Sequence, residues 1–120
     1  MATPNIVNVT SINGKNATAT LANTSRTTAI DVAADKLVKV NTILISKIDG
    51  TNAADITIEI SVDDGSNYVK LANTISVPAD ATLNFLESPI YLDETDILAF
   101  TASAADDLSY FVSYEEIDDA

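Results

Sequence analysis

The sequence predicts an all-β fold: one antiparallel β-sandwich, jelly-roll-like or Ig-like, of about eight or nine strands. Three observations carry this. Short apolar segments alternate with polar residues at period two. Clusters of Asn, Asp and Gly punctuate them at the spacing of sandwich strands. No window shows the apolar period of a helix, and Ala33-Ala34-Asp35-Lys36-Leu37 offers one helical turn at most.

The elements follow in order. Val7, Val9 and Ser11 alternate with Asn8 and Thr10, and Ala17, Ala19 and Leu21 alternate with Thr18 and Thr20. Asn13-Gly14 lies between them, so the opening predicts a hairpin. A polar stretch over 23–26 leads to a short strand with Thr28, Ile30 and Val32 on one face, and Ala33-Ala34-Asp35-Lys36 turns the chain. Residues 37–48 form the longest β-like run. Strict alternation there puts Val38, Val40 and Leu44 on one face and Ile43 and Ile45 on the other, a strand buried on both sides.

Asp49-Gly50-Thr51-Asn52 reads as a turn, and Ile56, Ile58, Ile60 and Val62 as the cleanest half-buried strand. After the turn Asp63-Asp64-Gly65-Ser66-Asn67 come two short strands, Tyr68-Val69-Lys70-Leu71 and Thr74-Ile75-Ser76-Val77, the second ended by Pro78. A strand over 82–87 stops before Pro89. A closing pair, 96–103 and 108–116, surrounds Ala104-Ala105-Asp106-Asp107, with Leu108, Tyr110, Val112 and Tyr114 sharing a face.

The 120 residues fit a single domain spanning 1–120, with 1–5 and 117–120 expected as arms. Apolar residues make up 47%, enough for a core without staples. Trp is absent and Phe scarce, so that core must be Ile, Val, Leu and Ala with Tyr in support. There is no cysteine, which removes disulfides, thiolate nucleophiles and cysteine zinc sites. There is no histidine, the commonest general base and metal ligand. The start has neither a basic stretch nor an apolar run, so no signal peptide is expected, and no segment predicts a membrane span.

Net charge is −12, which argues against a nucleic-acid partner. It is unevenly spread. Residues 1–48 hold five cations against two acids, and residues 49–120 hold sixteen acids against Lys70 alone. One edge or end of the domain is therefore expected to be the more acidic, most simply as a solvated surface.

The candidate chemistry is thin. Asp63-Asp64-Gly65-Ser66-Asn67 bunches oxygen ligands but lacks the calcium-loop spacing and closing glutamate, so it reads as a turn. Asp93, Glu94 and Asp96 offer paired carboxylates, the equipment of a glycosidase, but with only Tyr91 near to stack on a sugar they read as an acidic turn. No Gly-x-Ser-x-Gly elbow and no phosphate-cradling loop occur. The triplets at Asn8, Asn16 and Asn23 match a glycosylation acceptor, as a chain rich in Asn and Thr does by chance. Tyr68, Tyr91, Tyr110 and Tyr114 suit either a sugar-stacking face or ordinary packing with the hydroxyl at the rim. No catalytic residue, metal ligand or cofactor is assigned, and an enzyme is not expected.

The order of phrases is more telling. Lys39-Val40-Asn41-Thr42-Ile43-Leu44-Ile45-Ser46 is followed by Asp49-Gly50-Thr51 and Asp55-Ile56-Thr57-Ile58. Then come Asn67-Tyr68, Ile75-Ser76-Val77-Pro78-Ala79, Pro89-Ile90-Tyr91-Leu92-Asp93 and Val112-Ser113-Tyr114-Glu115-Glu116-Ile117. Over about residues 37–117 this resembles a group of small β-rich virion proteins of tailed phages, many of them marine. The resemblance implies a β-sandwich bound to the outside of a phage particle as an oligomer, and it transfers no catalytic residue. The expectation is a capsid decoration (cement) protein, made in the host cytoplasm and located on the virion. Its partners would be the major capsid protein and itself, as a trimer on local three-fold positions, with neither nucleic acid nor membrane. Ile43, Ile45 and Phe111, apolar residues beyond what a single core requires, are the expected contacts. A tail or neck component and a glycan-binding module are the alternatives.

Overall fold

A computed structural model describes residues 9–48 and 51–119. The described residues form nine strands and no helix: β1 (Val9–Thr20), β2 (Thr27–Asp31), β3 (Lys36–Lys47), β4 (Ala54–Ser61), β5 (Val69–Val77), β6 (Thr82–Asn84), β7 (Ile90–Leu92), β8 (Ile97–Ala102) and β9 (Leu108–Asp119). The arm expected at 1–5, Val7 and Asn8 of the first strand, Asp49-Gly50 of the turn and Ala120 lie outside the described residues. Residues 117–119, expected within a second arm, instead continue β9. Ile117 is buried there, opposite Leu37 on one side and Ile12 on the other.

Two antiparallel sheets stack as a sandwich. One runs β1-β9-β3-β6, with β7 pairing β3 further along the same edge; the other runs β2-β8-β4-β5. Between them lie Val38, Val40, Ile43 and Ile45 of β3, Leu108 and Val112 of β9, Ile56 and Ile58 of β4, and Leu98 and Phe100 of β8. The Phe100 and Tyr110 rings meet across the sheets with centroids 4.8 Å apart. This is the Ile/Val/Leu core with aromatic support that the composition demands.

Further sequence expectations change: the strand expected over 82–87 is only Thr82–Asn84, Val62 falls past the end of β4, and four larger differences follow. Asn13-Gly14 makes no hairpin. β1 runs straight through it, and Ser11 to Thr20 pair in unbroken register with β9. A tight hairpin would satisfy one short ladder, whereas the twelve-residue β9 offers β1 a partner along its length. The closing pair is no hairpin either. β8 and β9 lie in different sheets, and 103–107 crosses between them, anchored where Ser103 N donates to Asp55 O at 2.9 Å and Asp106 N to Leu21 O at 2.8 Å.

In β3 the register slips between Val40 and Thr42 against β9. This bulge spends Asn41 as an extra residue, so Val38, Val40, Ile43 and Ile45 all face the core while Leu44 turns outward. At Ile43-Leu44-Ile45 the expected two-sided burial is thus one-sided, with a change of phase at Asn41. Finally, the two short strands after Tyr68 are one strand, β5, broken by two register shifts against β4, with Thr74 at φ 47°.

Candidate functional site

Of the three expected contact residues, Ile43 and Ile45 are 0% exposed and belong to the core. The single core does require them, because the bulge at Asn41 brings both inward. Phe111 is different. It points outward from β9, half-buried, between Thr18 of β1 and Leu44 of β3 in register.

The carboxylates of the turns are engaged in holding those turns. Asp63 Oδ1 accepts from Ser61 Oγ at 2.8 Å and Asn67 N at 2.9 Å, and Asp63 Oδ2 accepts from Asn67 Nδ2 at 2.8 Å. The Asn67 donors, with Ser61, hold the Asp63 carboxyl below its usual range. Asp96 Oδ2 accepts from Asp93 N at 2.9 Å, and Asp93 Oδ1 from Glu94 N at 2.8 Å. Glu94 reaches the amide of Asp35. Thr95 N donates to Val32 O at 2.8 Å and Val32 N to Asp96 O at 3.0 Å, so the turns before β3 and β8 are tied together. Burial pushes the Asp96 carboxyl up. Nothing here arranges two acids across a cleft, and the described residues contain no group of three potential ligands placed to hold a metal.

Four cations of the first part of the chain find acid partners in the second. Lys15 pairs with Glu116 at 2.9 Å, Lys36 with Asp118, Arg26 with Glu59 at 3.1 Å and Lys47 with Asp107 at 3.6 Å. Each pair joins a cation from residues 1–48 to an acid from the rest, because strand pairing and stacking bring the two halves of the chain together. Arg26 also lies over the Tyr68 ring, 3.8 Å from its centroid. That contact fastens 62–68 against the outer face of the β4/β8 sheet, where Glu59, Ser61 and Ile97 are buried.

The tyrosines do not form one face. Tyr110 and Tyr114 point toward the core side of β9, Tyr91 lies on the opposite face of that sheet, and Tyr68 sits under Arg26 on the other sheet.

What sequence reasoning missed is an apolar edge. Val69, Leu71 and Ile75 of β5 are 62%, 45% and 40% exposed, and Val62, just past β4, is 67% exposed. The cause is architectural. β5 is nine residues long and is the edge strand of its sheet, with β4 on one side alone. The available signal was Pro78, which cannot donate to a ladder and so either ends a strand or marks an edge.

No family model matches the chain, and no curated protein matches it. Among solved structures, one from work on Bacillus endospore appendages, described as a family of disulfide-linked pili, superposes with a TM-score of 0.55 at 13% identity, covering 92% of this chain and 88% of that one. This likeness shows the fold, a β-sandwich. The linkage named for those pili has no counterpart here, since this chain has no cysteine. A Drosophila NLP core, described for pentamer formation and histone binding, gives a TM-score of 0.47 at 16% identity, covering 87% of this chain and 96% of that one. A pentameric capsid protein from metagenomic phage sequences gives 0.42 at 21% identity, covering 88% of this chain. The chain spans 62% of that capsid protein's length.

Proposed function

We propose that this chain is a structural subunit of a phage particle, a decoration protein that binds the outer shell and bridges capsid subunits. The observation that carries the reading is where the virion-like phrases fall. Lys39 to Ser46 lie in β3, Asp55 to Ile58 in β4, Ile75 to Val77 at the end of β5, Ile90 to Leu92 in β7 and Val112 to Ile117 in β9. The resemblance therefore follows the framework of the sandwich and not one loop.

The strand order supports a jelly-roll reading. If β6 and β7 are two halves of one strand along β3, the sheets become two interlocked sets of four, with the chain crossing repeatedly between them. Such a sandwich serves as a rigid block, and its mechanism is bridging: free energy comes from area buried against neighbours. The outward Phe111, flanked by Leu44, is the contact residue this reading retains, with the major capsid protein as partner. Self-association belongs to the same reading, and local three-fold positions on a shell would call for trimers.

Copy number tests it. Quantitative mass spectrometry of purified particles is expected to give one copy per one to three major capsid subunits. A few copies per hundred would move the protein to the tail or neck, and its absence from particles would refute a virion role. A glycan-binding module finds less support, because the four tyrosines are dispersed over different faces.

A further inference from the structure

We propose that the exposed edge at β5 is a two-fold contact between copies of this chain; this rests on the self-associating structural role proposed above and names the surface. Four of the large apolar side chains that the described residues leave exposed, Val62, Val69, Leu71 and Ile75, lie on or beside this one strand. Grouped exposure of this kind marks interaction sites, whereas scattered exposure does not. β5 is also the outermost strand of its sheet, with β4 on its inner side alone.

Charge selects a second copy as the occupant. At −12, two copies repel wherever their carboxylates approach. From Val69 to Ala79 there is no acid, and Lys70 is the one cation in residues 49–120. Lys70 stands near the start of β5, and Asp80 follows its far end; neither makes an ion pair among the described residues. In a two-fold contact residue i meets j′ while j meets i′. An axis crossing β5 near its middle sets apolar side chains against apolar side chains. It also carries Lys70 of each copy toward Asp80 of the other, so opposite charges at opposite ends of one strand become two complementary pairs.

The contact is made by side chains and not by an added ladder. Two register shifts twist β5, and bulges of this kind keep an edge from accepting another strand. On a lattice that placed trimers at three-fold positions, neighbouring trimers are related by two-fold axes. The β5 contact would then link one trimer to the next.

The test is sedimentation equilibrium or light scattering on the full chain at roughly 100 µM, where a micromolar contact is nearly saturated. The expected wild-type mass is two chains, or an even multiple if trimers are joined in pairs. The V69D/L71D variant is expected to lose that pairing with unchanged circular dichroism, since Val69 is 62% and Leu71 45% exposed in the single chain. Lys70→Ala and Asp80→Asn are each expected to weaken pairing several-fold, and the double variant no more than the weaker single, the coupling of groups that face each other. Additive effects would overturn the two-fold register. An assembly that V69D/L71D leaves intact would overturn this surface and spare the self-association reading. A wild-type monomer would overturn both, with copy number in particles still deciding the virion role separately.

Discussion

Lys36 and Asp118 stand opposite each other in the β3–β9 ladder, and the Lys36 ammonium donates to the Asp118 carboxylate. The same carboxylate accepts from Ser11 Oγ of β1 at 2.9 Å. One side chain of the central strand therefore binds both of its neighbours at the end of the three-strand layer. The Lys15–Glu116 pair repeats the cross-strand tie close by.

This end of the sheet is predicted to loosen in acid. The Lys36 hydrogen bond, followed by that of Ser11, holds the Asp118 carboxyl below its usual range. A carboxyl with a depressed folded-state pKa contributes stability that is present above the unfolded value, near 3.9, and lost as pH falls through the folded value. Hydrogen exchange followed from pH 6 down to about pH 3 should show protection falling near Ser11, Lys36 and Asp118 before it falls in the Ile43–Val112 region. Asp118→Asn should weaken that end already at neutral pH and remove most of its acid response. Uniform loss of protection over the whole domain would contradict the assignment.

Ile43→Ala is predicted to destabilise the protein by about 2–5 kcal/mol, the range for truncating a buried aliphatic side chain. Ile43 has no exposed surface and lies opposite Val112 in register. Denaturant unfolding reads the value directly. Leu44→Ala, one residue along on the outer face, should cost clearly less. Equal costs would mean that the bulge at Asn41 does not set the phase of the strand.

Most strands were legible because alternation reports burial wherever a ladder is regular: Ile56 and Ile58, or Leu108, Tyr110 and Val112, could be assigned to the core by period alone. The period fails where register slips. Asn41 carries no signature that separates a bulge from an ordinary strand residue, so Ile43 and Ile45 came out on the wrong side. Asn13-Gly14 shows the other failure. A local turn signal competes with every long-range partner, and the partners here, Glu116 and Glu115 of β9, are just over a hundred residues away. The charge blocks were legible as counts but not as surfaces, because pairs such as Lys15–Glu116 form only when distant strands meet. The exposed edge at β5 was hidden for a related reason: its exposure comes from its place at the end of the order β2-β8-β4-β5, which only the pairing of distant strands fixes.

Gly65→Ala is predicted to cost about 1–2 kcal/mol, as expected for an L-residue placed in the left-handed region. Gly65 has φ +86°, and a Cβ there would make ordinary contacts at 3.5 Å with Ile97 Cδ1 and Tyr68 Oη. The cost is therefore conformational and not steric. Gly65→Asn should cost less than Gly65→Ala, because Asn tolerates positive φ better. Thermal unfolding of the two variants decides the order, and the reverse order would place the strain in the contacts instead.

Phe111→Ser is predicted to weaken binding to purified shells by roughly tenfold or more, the effect of losing an aromatic anchor from an interface. Phe111 faces outward from β9, so its truncation removes little from the core that holds Val112 and Tyr110 on the opposite face. The variant should therefore keep its circular dichroism spectrum and lose only a few degrees of melting temperature, while occupancy on shells falls. Thr18→Ala, its neighbour on β1, serves as the comparison, since it alters the same face without removing an aromatic ring. If Phe111→Ser left occupancy unchanged, the shell would have to bind another face, and the β5 variants V69D/L71D measured on the same shells would show whether that face is the open edge.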